Sequence, residues 1–569
     1  MWNRGSVTKS NLTLMDNGNK NSYAWLPFWV AVAIAAGMCI GNWNNIRSEY
    51  EQYDTYDYEY PRRNSKVDML LRVVESQYVD TVESKSLIDH AMSSILGELD
   101  PHSSYIPAED LQSVNEELDG TFTGIGIQFN LLKDTINVVS VISGGPSERN
   151  GLMAGDRIIM VDDSLFVGKE LNEERVMKAL RGPKGSVVKL GVKRRGEPEL
   201  LTYEIERGDI PVNSVDVAYM VTPRIGYVKV GKFGRTTFEE FIVALTRLDN
   251  EGAESYIIDL RGNTGGYMDA AVNMVNEFLP KDCDIVYAEG RSFPREEAAS
   301  NGMGSFQEQP IIVLTDEWSA SSSEIFAGAI QDNDRGLIVG RRTFGKGLVQ
   351  TQYPFPDGSA VRLTVARYYT PSGRCIQKEY TLGDEENYSL DIINRYNRGE
   401  FFNADSIHQH TELVYTTVGG RTVYGGGGIM PDVFVPGDTT GITDYYNTVI
   451  NKGLLYKYAF DYVDEHREKL SQAHNYKELL KGLNGRRLLN DFVKYAADNG
   501  VKPHYGQIAT SRELLTNLLQ AYIARDILGD DAFYPIYMSD DVVLHKACEL
   551  LEAGKGRPEL PAPDETEEQ

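Results

Sequence analysis

Ser321 sits in a serine-rich run, Ser-Ala-Ser-Ser-Ser at 319–323, between an apolar stretch at 311–315 and a helical pattern. Lys346 follows twenty-five residues later, between two glycines. A serine hydroxyl is a weak nucleophile and needs a base. Histidine is the usual base, but none occurs between His102 and His408, and no Gly-x-Ser-x-Gly elbow surrounds Ser321. A lysine can serve when burial lowers its pKa and leaves the amine neutral. Phe344, Gly345, Gly347, Leu348 and Val349 give Lys346 such a setting, and Gln350 could orient the amine without holding it protonated. A helix start supplies free N–H groups and the positive end of a dipole. The Ser322 N–H, joined by that of Gly265 or Gly266 in the upstream turn, could therefore hold an oxyanion. Glu324 could brace the helix start or bind a substrate amine. On residue type alone, capping is the simpler explanation of serines at a helix start.

These residues need a scaffold, and the pattern around them is α/β. RIGYVKV, SYIIDL, IIVLT and LIVG read as strands of one core spanning 209–440. A helix with Thr237 as its cap and Phe241, Leu245 and Leu248 on one face lies between the first two. Residues 378–424 read as an irregular insertion. Residues 65–118 have helical spacing in two runs, and Pro107 suits the first turn of a further helix. From 119 to 208 short strands and glycine turns take over. Successive N–H groups in the loop Gly124-Ile125-Gly126-Ile127 could form a nest for a carboxylate. From 441 to 553 apolar positions recur three and four apart, with Ser511 and Ser539 as N-caps. The Pro- and acid-rich tail, 554–569, has the composition of a disordered segment. The fold class expected is multidomain α+β, with helical regions at both ends.

Composition narrows the function. Lys and Arg number 57 against 83 Asp and Glu, a net charge of −26, which argues against nucleic acid as a partner, because phosphate binding needs clustered Lys and Arg. The four cysteines form no CxxC pair, and His408 with His410 lacks ligand company, so neither a disulfide framework nor a metal site is expected. Residues 23–41 are apolar and uncharged, near the minimum for a membrane span. Arg4, Lys9 and Lys20 precede them and an acidic linker, 42–64, follows. That asymmetry leaves 1–22 in the cytoplasm and the rest outside it.

The paired motifs SASSSEI and FGKGLVQ, with DLRGNTGG upstream, resemble those of the C-terminal processing peptidases, also called tail-specific proteases. LDPHSSY, the GIGI loop and GIMPDVFVP extend the resemblance over about 65–438. Residues 120–207 are similar to a PDZ domain. The resemblance implies a serine endopeptidase with a Ser-Lys dyad: Ser321 the nucleophile, Lys346 the base, Gln350 the residue that positions it. The Ser322 amide and the turn at Gly265 and Gly266 would supply the oxyanion donors. Gly124, Ile125, Gly126 and Ile127 would bind the carboxylate of a polypeptide with a free, apolar C-terminus. No cofactor is implied. The expected location is the bacterial inner membrane, single pass, with the catalytic domains in the periplasm, or secretion to the periplasm after signal cleavage. A homo-oligomer is a further expectation. The competing function is a catalytically silent PDZ scaffold on a protease-like fold. Ser-Ala-Ser-Ser-Ser departs from the family's common alternating pattern and leaves the neighbouring serines as rivals of Ser321.

Overall fold

The structure, a computed structural model, describes residues 66–561 apart from 133 and 143. The chain divides into two compact units, Met1–Ser86 and Leu87–Gln569. In the first, the helix Lys66–Gln77 buries none of its residues.

The second unit is built on a six-stranded sheet. Val215–Thr222 is its antiparallel edge. Then Ile225–Val230, Ser255–Asp259, Ile311–Thr315, Leu337–Gly340 and Val433–Phe434 run parallel in that order. Every residue of Ser255–Asp259 and Ile311–Thr315 is buried. Strands covered on both faces favour such continuous apolar runs. One face packs on the helices Thr237–Asn250, Met268–Asn276 and Ser322–Asp332. The other is covered from the far end of the chain: Val543, Leu544, Ala547 and Cys548 of the helix Val542–Glu552 pack on Ile257, Ile312 and Val339. The last described helix thus belongs to the layers around this sheet.

A second sheet centres on Ala360–Tyr369, which pairs with Leu348–Pro354, Asp284–Glu289 and, at Ser104–Ile106, a strand from LDPHSSYI. The region similar to a PDZ domain is a separate six-stranded antiparallel sheet with the helix Glu173–Leu180 against it, and Ile127–Leu132 is an edge strand. Arg157 of this domain donates to Asp464 of the helix Leu454–Leu470 at 2.8 Å, and Arg194 closes an internal pair with buried Asp156 at 2.7 Å.

Several sequence expectations change. Residues 378–424 are ordered into a helix, Glu385–Asn397, and a hairpin of Val414–Thr416 with Thr422–Tyr424. The helix buries Tyr388 and Arg395, polar-tipped residues that leave no apolar stripe to read. The helix Val542–Glu552 is capped by Asp541, which accepts from the Leu544 N–H at 2.7 Å, while Ser539 lies in a preceding 3-10 turn. Thr237 begins its helix and Thr236 is the cap position. The single-pass inner-membrane assignment is corrected as well: among the described residues no helix is long and apolar enough to cross a membrane. A span takes about 20 apolar residues. The longest described helices, Leu454–Leu470 and Arg512–Leu528, have 17 residues and include charged side chains. The segment 1–64 and residues 562–569 of the expected tail lie outside the described residues.

The helix Ser322–Asp332 ends in a fully buried ion pair, Arg374 Nη2 to Asp332 Oδ1 at 2.7 Å, with both side chains at zero exposure. Arg374 also reaches Gln331 Oε1 at 2.8 Å and the Tyr424 carbonyl at 2.9 Å. Breaking such a pair leaves a buried charge uncompensated. Arg374→Ala should cost about 3–5 kcal/mol in chemical denaturation.

Candidate active site

Three neighbouring parallel strands deliver the site. Their carboxyl ends carry, in spatial order, the turn after Asp259, the turn after Thr315 and the loop after Gly340. Turns at the same end of adjacent strands are neighbours in space, which is why α/β sheets place ligands there.

The middle turn presents Ser321 at φ 56°, ψ −116°, a conformation L residues rarely adopt. It is a sharp strand-to-helix elbow made without the usual glycine pattern. Ser321 is distinguished from its neighbours by hydrogen bonding. Ser319 Oγ donates to the Leu260 carbonyl at 2.8 Å, Ser322 Oγ to Gly266 at 2.8 Å and Ser323 Oγ to Asn263 at 2.9 Å. These three hydroxyls fasten the elbow to the adjacent turn. Among the described residues the Ser321 hydroxyl donates to no carbonyl.

The adjacent turn comes so close that a Cβ on Gly265 would lie 2.6 Å from Ser321 Cβ, and Gly265 has φ 105°. Both facts require glycine. The Gly265 N–H is committed to Asn263 Oδ1 at 2.9 Å. Among the described residues the N–H groups of Gly266 and Ser322 have no acceptor, so these two are available to an oxyanion. Asn263 anchors the turn through the Val230 carbonyl at 2.9 Å, and Asp316 accepts from the Gly262 N–H at 3.0 Å. Arg261 is held by buried Asp259 and, at 2.9 Å, by Asp541 from the C-terminal region.

Lys346 stands in the third loop, half-buried. Burial, then the nearby Arg362 guanidinium, lower its pKa from the ordinary 10.5; Glu324 and Asp100 act in the opposite direction. Its Nζ donates to Gln350 Oε1 at 3.1 Å. Gln350 Nε2 donates to the His102 carbonyl. Among the described residues no hydrogen bond joins Lys346 Nζ to Ser321 Oγ.

The link between Ser321 and Lys346 runs through Glu324. This fully buried carboxylate accepts from the Ser321 N–H at 2.9 Å, the Gly345 N–H at 2.7 Å, the Lys346 N–H at 2.8 Å and the Thr343 hydroxyl. Burial pushes its pKa up to about 7, while these four donors favour the ionised form. The Tyr368 hydroxyl lies within hydrogen-bond reach of both the Ser321 and Lys346 carbonyls. The Ser-x-x-Glu spacing signals the Glu324 contact as a capping box. No local pattern signals Tyr368, which comes from 47 residues away. His102 belongs to the LDPHSSY motif, but its carbonyl's role has no side-chain signature.

The remaining candidates lie in the PDZ domain. Gly124 to Ile127 leads into the edge strand Ile127–Leu132, and Gly126 has φ 79°. An edge strand leaves a row of backbone groups to which an extended peptide can add.

The family model of peptidase family S41 matches residues 224–387, and that of the PDZ domain 123–205. A family of unknown function, DUF8443, matches 445–529. The carboxy-terminal-processing protease of Bartonella bacilliformis is 38% identical over 309 residues, 53% of this chain and 70% of that protein. The chain belongs to this family. It is a serine-type peptidase of family S41 with a PDZ domain. Carboxy-terminal processing protease CtpA of Bacillus subtilis is 35% identical over 320 residues, 56% of this chain and 68% of its own. A solved photosystem II D1 C-terminal processing protease aligns with 65% of this chain and 86% of its own at 26% identity; its TM-score of 0.34 adds nothing to the sequence match.

Glu324→Gln tests the bridge. An amide would turn N–H donors toward N–H donors and leave a buried group unsatisfied. Expected are a loss in kcat of about 100-fold and destabilisation of about 2–3 kcal/mol, read by peptide turnover and chemical denaturation.

Proposed function

We propose that this peptidase binds the free, apolar C-termini of polypeptides in its PDZ domain and cuts near them with Ser321 as nucleophile and Lys346 as base. The observation that carries this reading is the Glu324 bridge. One carboxylate holds the backbones of both residues at the carboxyl ends of adjacent strands. The chain end would lie as an added strand beside Ile127–Leu132, its carboxylate on the Gly124–Ile127 loop.

In the reaction, neutral Lys346 takes the Ser321 proton as Oγ attacks the scissile carbonyl. The Ser322 and Gly266 N–H groups face the developing oxyanion. Lys346 then gives the proton to the leaving amine as the C–N bond breaks. Water, deprotonated by the Lys346 amine, attacks the acyl carbonyl, and Lys346 returns that proton to Ser321 Oγ as the acyl C–O bond breaks. Gln350 accepts from the lysine and presents no charge that would hold it protonated. Proton transfer requires Lys346 to swing from Gln350 toward Ser321. Catalytic hydrogen bonds commonly tighten only in the substrate complex.

Ser321→Ala and Lys346→Ala should each lower turnover of an unstructured peptide with an apolar tail by about 1,000-fold or more. Unchanged turnover in either would sink the dyad. For the wild type, kcat/KM should climb with pH as Lys346 loses its proton and level off below 10.5, the ordinary lysine value. A rate that is flat across the measured lysine titration would exclude Lys346 as base.

A further inference from the structure

The loop that carries Lys346 is gripped on its outer side by the segment following Cys375. Arg395 donates to the Thr343 carbonyl at 3.0 Å and the Arg342 carbonyl at 2.9 Å. It is itself fixed by buried Glu400 at 2.8 Å, which also takes Arg342 Nε at 2.7 Å. The Lys378 N–H donates to the Gly345 carbonyl at 2.9 Å, and Gln377 Oε1 accepts from the Gly347 N–H at 2.8 Å. Three residues of one segment, Gln377, Lys378 and Arg395, therefore pin the main chain on both sides of Lys346.

Tyr388 does something different, because it bonds the ring of His102, whose carbonyl holds the Gln350 amide. It is buried, 7% exposed, in the helix Glu385–Asn397. Its ring meets Phe344 edge-on at 5.9 Å and His102 edge-on at 5.2 Å. Lys378 Nζ lies 4.0 Å from the ring centroids of both Phe344 and Tyr388, a cation–π contact that holds the two rings together. The Tyr388 hydroxyl is 2.9 Å from His102 Nε2 and 3.4 Å from Gln377 Nε2.

We propose that Tyr388 is a positioning residue for Lys346, acting through His102 and Gln350. This rests on the reading of Lys346 as the base. An amide has one acceptor end and one donor end. Because Gln350 Nε2 is committed to the His102 carbonyl, its Oε1 must face the lysine. The orientation holds only while that carbonyl stays in place. His102 is held at its N–H by Asp100 Oδ1, 3.0 Å away, and at its ring by Tyr388. Removing the tyrosine hydroxyl frees the ring, lets the carbonyl drift and allows the Gln350 amide to turn its NH2 toward Lys346. Water then reaches the amine. The charged and titratable groups around Lys346 are Arg362, Glu324, Asp100, His102 and, beyond His102, Lys378. His102 is kept neutral above about 4 by burial and by Lys346 itself, so it adds no charge to the balance at neutral pH. Rehydration consequently raises the lysine pKa toward its ordinary value.

The test uses the full chain and a quenched peptide with an apolar C-terminus. Tyr388→Phe keeps the ring and removes only the hydroxyl. His102→Phe breaks the same hydrogen bond from the other side and keeps the His102 carbonyl. Each should lower kcat about tenfold, leave KM within about twofold and move the rising limb of the pH–rate profile to higher pH. The double variant should be no worse than either single one, because both remove one bond. Unchanged kcat and pH limb in both variants would overturn the proposal. So would additive losses, or a fall in kcat that only tracks the folded fraction by circular dichroism with the pH limb unmoved. Should one variant fail to fold, the pH limb of the other decides. Lys346→Ala in the same assay separates the two readings. If it retains turnover, the dyad itself fails; if it is inactive while Tyr388→Phe and His102→Phe behave as wild type, only the role of Tyr388 fails.

Discussion

The site depends on one buried carboxylate. Glu324 has no charged partner within ion-pair distance among the described residues and is held by four donors, two of them the backbone N–H groups of Ser321 and Lys346. Burial alone would neutralise it. The donors that resist this are the Thr343 hydroxyl and the main-chain N–H groups of Ser321, Gly345 and Lys346, so the bonds that solvate the carboxylate also hold the two loops together. A serine and a lysine carried on separate loops have no covalent reason to keep their separation. The shared acceptor supplies one.

The sheet makes that arrangement possible. Parallel strands place all their carboxyl ends on one edge, and three adjacent strands here contribute the Gly265–Gly266 turn, the Ser321 elbow and the Lys346 loop. Fully buried strands need cover on both faces. The second face is covered in part by a helix from more than two hundred residues downstream of the nucleophile, and Asp541 at its start ties Arg261 of the oxyanion turn. The C-terminal region is in this sense part of the scaffold of the candidate site. The same region contacts the PDZ domain through Asp464, so both the sheet and the PDZ domain rest on it.

Much of this was legible along the chain. The strands Ser255–Asp259 and Ile311–Thr315 announce themselves as apolar runs. Ser321, Lys346 and Gln350 stand out because the region contains no histidine. The glycines of the oxyanion turn are visible as glycines, but which one is free is not, since that depends on Asn263 folding back to take the Gly265 N–H. The segment 378–424 was misread for a physical reason: Tyr388 and Arg395 are buried by hydrogen bonds and ring contacts, and hydrophobic periodicity does not register such burial. The inner-membrane expectation rested on residues 23–41, outside the described residues, and no described helix supports a span.

The sequence by itself determined the chemical inventory: a serine at a helix start, a glycine-flanked lysine, a glutamine four residues on, and the local elements that carry them. These follow from residue type and short-range periodicity, which act within a turn or two of chain. Only the tertiary structure decided which serine hydroxyls fasten to the adjacent turn, that Asn263 takes the Gly265 N–H, and that Glu324 binds both loops. It also brought the His102 carbonyl to Gln350 across 248 residues and Tyr388 to His102 across 286. Those outcomes depend on desolvation and on hydrogen bonds between distant segments. Neither exists until the chain has closed around them.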